Sequence, residues 1–118
     1  MIDDERLARE EMKRGLVAYP ELEVVGEAAN ADEAELLINL LQPALIFLDI
    51  QMPGRSGFEL LEGLTVVPEV IFTTAFDQYA VKAFELSALD YLVKPIRQER
   101  LEKAMEKVRN RLNLNFAN

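Results

Sequence analysis

The chain contains no cysteine and no histidine. Without thiols it can form neither disulfides nor thiolate metal sites, and without imidazole it has no histidine general base and no Ser-His-Asp triad. Basic residues are the minority, 13 Lys and Arg against 21 Asp and Glu, for a formal net charge of −8. A surface of that sign repels a phosphate backbone, so direct nucleic-acid binding by this chain is not expected. No apolar run reaches membrane-spanning length, and the start M-I-D-D-E-R carries no signal-peptide pattern. The expectation is a cytoplasmic setting with no membrane association. Any chemistry must run on carboxylates, hydroxyls, amines and backbone groups.

What is present suits one folded domain: 118 residues, half of them hydrophobic. Short apolar runs alternate with helical patterns, the mark of an α/β fold. Residues 5–18 read as a helix that stops before Tyr19-Pro20. Residues 22–28 read as a strand. Asn30 and Glu33 resemble an N-cap and capping box for a helix carrying Ala34, Leu37, Ile38 and Leu41 on one stripe, closed by Pro43. Residues 44–49 form a continuous apolar run ending in Asp49, as a strand covered on both faces would. A short helix is expected over 57–63, a strand over 68–74, a helix over 78–86 and a short strand over 90–93. The last helix carries Leu101, Ala104, Met105, Val108 and Leu112 as a stripe, and residues 111–118 read as a tail or the start of a linker after a domain spanning 1–110.

In an open parallel sheet the ligand crevice lies beyond the carboxyl ends of the strands. The strand exits here supply Asp3 and Asp4, Asp49, Thr73 and Thr74, and Lys94-Pro95. Carboxylates brought together repel and raise one another's pKa unless a cation neutralises them, and an acidic cluster without His or Cys suits a hard, oxygen-binding ion such as Mg²⁺. Asp49 would keep one oxygen for the metal and one for nucleophilic attack, with Lys94 and Thr74 contacting a phosphoryl group. Taken singly these residues have plainer explanations. Asp3-Asp4 could cap a helix, Asp49 with Pro53-Gly54 could be turn chemistry, the threonines suit a strand and Lys94 a surface. Their convergence on one sheet edge is what those explanations do not predict.

The segments D-D-E, F-L-D-I-Q-M-P-G, F-T-T-A and Y-L-V-K-P-I, in that order, resemble the receiver domain of bacterial two-component response regulators. The phrasing from Ala75 to Ile96 is similar to receivers that precede a LytTR DNA-binding domain. The resemblance implies a three-layer, flavodoxin-like (βα)5 fold, doubly wound, with strand order 2-1-3-4-5. It implies that Asp49 accepts a phosphoryl group from a sensor histidine kinase or a small acyl phosphate in a Mg²⁺-dependent reaction. Asp4 and Asp49 then bind the metal directly, Asp3 through water, and Gln51 through its backbone carbonyl. Thr74 is the switch hydroxyl, Thr73 is structural, Lys94 contacts the phosphoryl group, Pro95 follows a cis peptide, and Tyr91 is the aromatic switch. The expected protein is no enzyme beyond its own phosphoryl transfer and loss. Phosphorylation is expected to favour a homodimer through the fourth helix, fifth strand and fifth helix, with Tyr79, Phe84 and Tyr91 as candidates for that face, and to control transcription through a domain outside these residues.

One departure stands out: only Met1 and Ile2 precede the acidic pair, where the family has an apolar strand of about five residues. The first strand is therefore expected to be truncated, leaving backbone groups of its neighbours unpaired. Two other functions compete. A haloacid-dehalogenase-like phosphohydrolase would need an Asp where Gln51 stands, and a receiver-fold module could bind a partner without phosphorylation.

Overall fold

The computed structural model describes residues 1–113. Its eight elements are α1 (Arg6–Leu16), α2 (Ala31–Leu41), β1 (Leu45–Asp49), α3 (Gly57–Glu62), β2 (Glu69–Thr74), α4 (Ala80–Glu85), β3 (Asp90–Val93) and α5 (Gln98–Leu112), with strand and helix alternating from β1 onward. The strands are parallel in the order β1-β2-β3, with Asp49 opposite Thr73 and Thr74 opposite Val93. Helices cover both faces. Ile46, Leu48, Val70 and Phe72 pack with Ala34, Ile38, Phe58, Leu61 and Ala83 from α2, α3 and α4. The alternate residues Phe47, Ile71 and Leu92 pack instead with Met12 and Leu16 of α1 and the α5 stripe Leu101, Ala104, Met105 and Val108. The apolar run of β1 thus splits, by the two-residue period of a strand, between two cores. This is the three-layer, flavodoxin-like arrangement.

One expected strand, over residues 22–28, is not a strand, and the first is truncated as expected. Residues 22–28 run without regular pairing and touch the sheet as a ladder only at Ala28, which bridges Ile2; Ile2 bridges Leu48 on its other side. The order across the sheet is therefore Ala28, Ile2, β1, β2, β3, the expected 2-1-3-4-5 with its first two members reduced to single residues. A strand exists only where a neighbour supplies its hydrogen bonds. Val24 and Val25 are exposed. An apolar groove of about 390 Å³, lined in part by Val24, Leu37, Leu41, Leu45 and Phe47, lies beside them. The bridge itself is fully made. Ile2 N–H donates to Phe47 O at 2.8 Å, Asp49 N–H to Ile2 O at 2.8 Å, and Asp3 N–H to Ala28 O at 3.0 Å.

Helix ends follow local chemistry. Asn30 caps α2 by accepting from Glu33 N–H, while the Glu33 carboxylate reaches back to Ala29 N–H and not to the cap residue itself. Gln42, left-handed at φ 46°, ends the helix before Pro43. A complete capping box of Ser56 and Glu59 opens α3. At the other end of the chain, α5 continues to Leu112, past the expected boundary at residue 110; residues 114–118 of the expected tail lie outside the described residues. No helix among the described residues is long and apolar enough to cross a membrane.

The start of α3 passes close under the end of β1. A Cβ on Gly57 would lie 2.5 Å from the Asp49 carbonyl oxygen and 3.2 Å from Ile50 Cα, both backbone atoms that cannot turn aside. Gly57→Ala should therefore cost about 1–3 kcal/mol in urea unfolding. Gly63→Ala, where the nearest atom would be 3.6 Å away, should stay within about 0.5 kcal/mol of the parent. Equal effects at the two positions would contradict the close approach.

Candidate functional site

Four chain segments bring the expected polar residues to the carboxyl edge of the sheet. Asp49 is the last residue of β1, Thr74 is the last of β2, and Lys94 follows β3, its N–H donating to Thr74 O at 2.7 Å. The Ile2 bridge sets Asp3 and Asp4 alongside. Oxygens of Asp3, Asp4 and Asp49 all lie within 4.8 Å of one another. Asp3 and Asp49 are buried, whereas Asp4 is exposed.

One ammonium serves this cluster. Lys94 Nζ lies 2.7 Å from Asp3 Oδ2 and 3.8 Å from Asp49 Oδ2, so it is committed to Asp3 and only near Asp49. The other oxygen of Asp3 accepts from Glu5 N–H at 2.9 Å just before α1, which makes Asp3 part of a helix start as well as of the acidic cluster. Burial, then the charge on Asp3, push the Asp49 carboxyl up to about 7; Lys94 opposes that rise without cancelling it, and Asp4 adds to it. Burial works against the Lys94 ammonium, yet the hydrogen bond to Asp3 and the charges of Asp49 and Asp3 hold its pKa above the usual lysine value. Three carboxylates against one amine leave an excess of negative charge among donors that are all oxygen. That donor set fits a hard divalent ion such as Mg²⁺.

Thr74 is fully buried, and its Oγ1 accepts from Phe76 N–H at 3.2 Å. Thr73, one residue earlier, is buried with its carbonyl accepting from Ile50 N–H. The Lys94-Pro95 peptide bond is cis. Tyr91 stands apart from the carboxylates, on the α4 side. Its hydroxyl donates to the Phe76 carbonyl and accepts from Tyr79 N–H at 3.2 Å. Gln51, two residues beyond β1, is exposed and its side-chain amide donates to Tyr79 Oη at 2.6 Å. Of the aromatic candidates for an outer face, Tyr79 and Tyr91 are partly buried against the core, while Phe84 is 85% exposed.

Two contributors escape a reading of the sequence. Arg9 of α1 donates to the Asp3 backbone carbonyl at 2.6 Å and to Glu27 at 3.1 Å, clamping the acidic turn to the segment before Ala28. Its only sequence signal is its place in the helix directly after the acidic pair. Asp90, opening β3, is the second. Burial would raise its carboxyl, but hydrogen bonds from Arg100 and from Tyr91 N–H, with the Lys107 charge, outweigh burial and lower it. This pairing of a buried carboxylate with two partly exposed cations ties the start of β3 to α5.

The Asp49 shift has a consequence for stability. A carboxyl whose pKa is raised on folding binds its proton more tightly in the folded chain, so stability is highest below the unfolded value near 4 and falls as pH rises towards 7. In metal-free buffer Asp49→Asn should be more stable than the parent at pH 7–8, by an order of 2 kcal/mol in urea unfolding, with the gap closing towards pH 4. A gap independent of pH would contradict the shift.

Most of the chain is similar to known proteins. Residues 1–106 match the family model described as response regulator receiver domain. Among curated proteins, an uncharacterized response regulatory protein of Vibrio cholerae is 52% identical over 110 residues, 92% of this chain and 46% of that protein. Transcriptional regulatory protein BtsR of Salmonella typhi is 49% identical over 111 residues, again 92% of this chain and 46% of the relative. The chain thus spans about half the length of the curated relatives it matches. Among solved structures, the response regulatory domain of protein mrkE from Klebsiella pneumoniae has a TM-score of 0.80 at 30% identity, covering 95% of each chain. The expected likeness to LytTR-type receivers finds no support in these comparisons, where proteins named as LuxR family also occur.

Proposed function

Because the chain belongs to the response regulator receiver family, we propose that Asp49 is its phosphoacceptor and that phosphorylation there switches the face formed by α4, β3 and α5. The observation that carries this reading is a buried carboxylate at the end of β1, crowded by Asp3 and Asp4 and within 3.8 Å of the single ammonium of Lys94. In the reaction, an ionised Asp49 oxygen attacks phosphorus and forms an O–P bond. The P–N bond of a kinase phosphohistidine breaks, and its electron pair returns to the imidazole, which takes up a proton. With a small acyl phosphate the bond broken is P–O and the leaving group is a carboxylate. The absence of histidine from this chain fits a donor histidine on another protein.

Each neighbour has a role the geometry supports. Asp4 and Asp49, Asp3 through water, and the Gln51 carbonyl would hold Mg²⁺, which supplies positive charge to the transferring phosphoryl oxygens. Lys94 is placed to leave Asp3 for a phosphoryl oxygen close to Asp49. Thr74 Oγ1 accepts from Phe76 N–H, and its own hydroxyl hydrogen would be donated to a phosphoryl oxygen. Turning that hydroxyl to the phosphoryl group would release Phe76 N–H and, through the Phe76 carbonyl, the Tyr91 hydroxyl.

The protein is a signalling domain under this reading, not a turnover enzyme. Its partners are a sensor histidine kinase and, when phosphorylated, a second copy of itself. The name of BtsR makes control of transcription the proposed output of the longer protein.

Intact-mass measurement after incubation with acetyl phosphate tests the reading. With Mg²⁺ the parent should gain one phosphate, and with EDTA none. Asp49→Asn should gain none under either condition. Rapid consumption of acetyl phosphate without an adduct would favour an enzyme, and no adduct at all a phosphorylation-independent binding module.

A further inference from the structure

Tyr79, at the N-cap of α4, touches both halves of the site. Its hydroxyl accepts from the Gln51 amide at 2.6 Å, and its backbone N–H donates to the Tyr91 hydroxyl at 3.2 Å. The ring between these bonds is fixed on two sides, edge-on to Phe58 at 5.9 Å and to Phe76 at 6.5 Å between centroids. Phe58 is itself edge-on to the fully buried Phe72 at 5.0 Å and carries the Lys82 ammonium at 5.0 Å from its centroid. Tyr79 is therefore a rigid strut. One end holds the side chain of the residue whose carbonyl would meet the metal, and the other holds the hydroxyl of the aromatic switch.

We propose that Tyr79 is a positioning residue that couples the loop carrying Gln51 to Tyr91, so that metal binding beside Asp49 changes the setting of Tyr91 before any phosphoryl group arrives. The coupling needs a continuous chain of contacts with two arrangements, and each link here is a hydrogen bond that can be broken singly. It enters Tyr91 through the Tyr79 N–H, whereas the route through Thr74 and Phe76 reaches Tyr91 at its other hydrogen-bond partner, the Phe76 carbonyl; the two meet elsewhere only in the ring contact of Phe76 with Tyr79. Tyr91 thus receives two inputs, one from the metal-side loop and one from the phosphoryl side. The inference rests on the metal and phosphoacceptor roles proposed above.

Three tyrosines in the chain make the test simple, because tyrosine labelled with ¹³C at the ring ε positions gives few resonances to assign. The Tyr91 resonance is followed without metal, with Mg²⁺, and with Mg²⁺ and beryllofluoride, and Mg²⁺ affinity is measured by calorimetry. In the parent, Mg²⁺ alone should shift the Tyr91 resonance. Tyr79→Phe keeps the ring and the backbone N–H but loses the phenol oxygen, and should abolish that shift while still binding Mg²⁺. Gln51→Leu should abolish the same shift, and the double variant should show no further change, since both remove one bond. The beryllofluoride shift should survive in Tyr79→Phe. An undiminished Mg²⁺ shift at Tyr91 in Tyr79→Phe would overturn the coupling, as would a parent that binds Mg²⁺ without any shift there. A parent that responds to Mg²⁺ but not to beryllofluoride would overturn the phosphoacceptor reading and leave the coupling standing. Failure to bind Mg²⁺ would overturn both.

Discussion

Asp3 and Asp49, both buried, share one ammonium, and Lys94 sits a full ångström closer to Asp3. Everything at the sheet edge is arranged around that unequal division. Asp49 is left with a proton affinity far above an ordinary aspartate, because burial and the neighbouring charge both oppose its ionisation. Such a group is poorly nucleophilic while protonated. A cation added to the cluster would favour the charged form and strengthen the site in the same step. The local instability is thus a consequence of the same crowding that makes the edge able to hold a metal and a phosphoryl group.

The surrounding fold supplies the rigidity this crowding requires. Gly57 allows α3 to approach the Asp49 carbonyl, and the segment Met1 to Asp3 is joined to its two neighbours by four backbone amide hydrogen bonds. Arg9 then ties the Asp3 carbonyl to α1 and to Glu27. On the far side of the sheet edge, the ion pair of Asp90 with Arg100 and Lys107 anchors the strand that delivers Lys94. Beside the carboxyl ends of β2 and β3, Thr74, Phe76, Tyr79 and Tyr91 are linked by single hydrogen bonds.

Much of this was legible in the amino-acid order. The apolar run into Asp49, the run into Thr74 and the stripe of α5 depend on burial, which leaves a periodic trace. The strand-exit rule then placed the carboxylates, the threonine and the lysine together without any knowledge of contacts. Residues 22–28 misled because L-E-V-V-G-E-A has strand composition, whereas a strand needs ladder pairing, which here is made only at Ala28. The Gln51–Tyr79 hydrogen bond joins residues 28 apart, and the clamp of Arg9 on Glu27 joins residues 18 apart. Neither leaves a periodic signal, because each is set by how the loops fall once the sheet has formed.

The most direct test of the account is the titration of Asp49 itself, read from its side-chain carboxyl ¹³C resonance with and without Mg²⁺. The account predicts a midpoint about 7 in metal-free protein, moving well down into the acid range when Mg²⁺ is present. A midpoint near 4 in both conditions would show that the carboxylates do not constrain one another, and would contradict the electrostatic basis of the site.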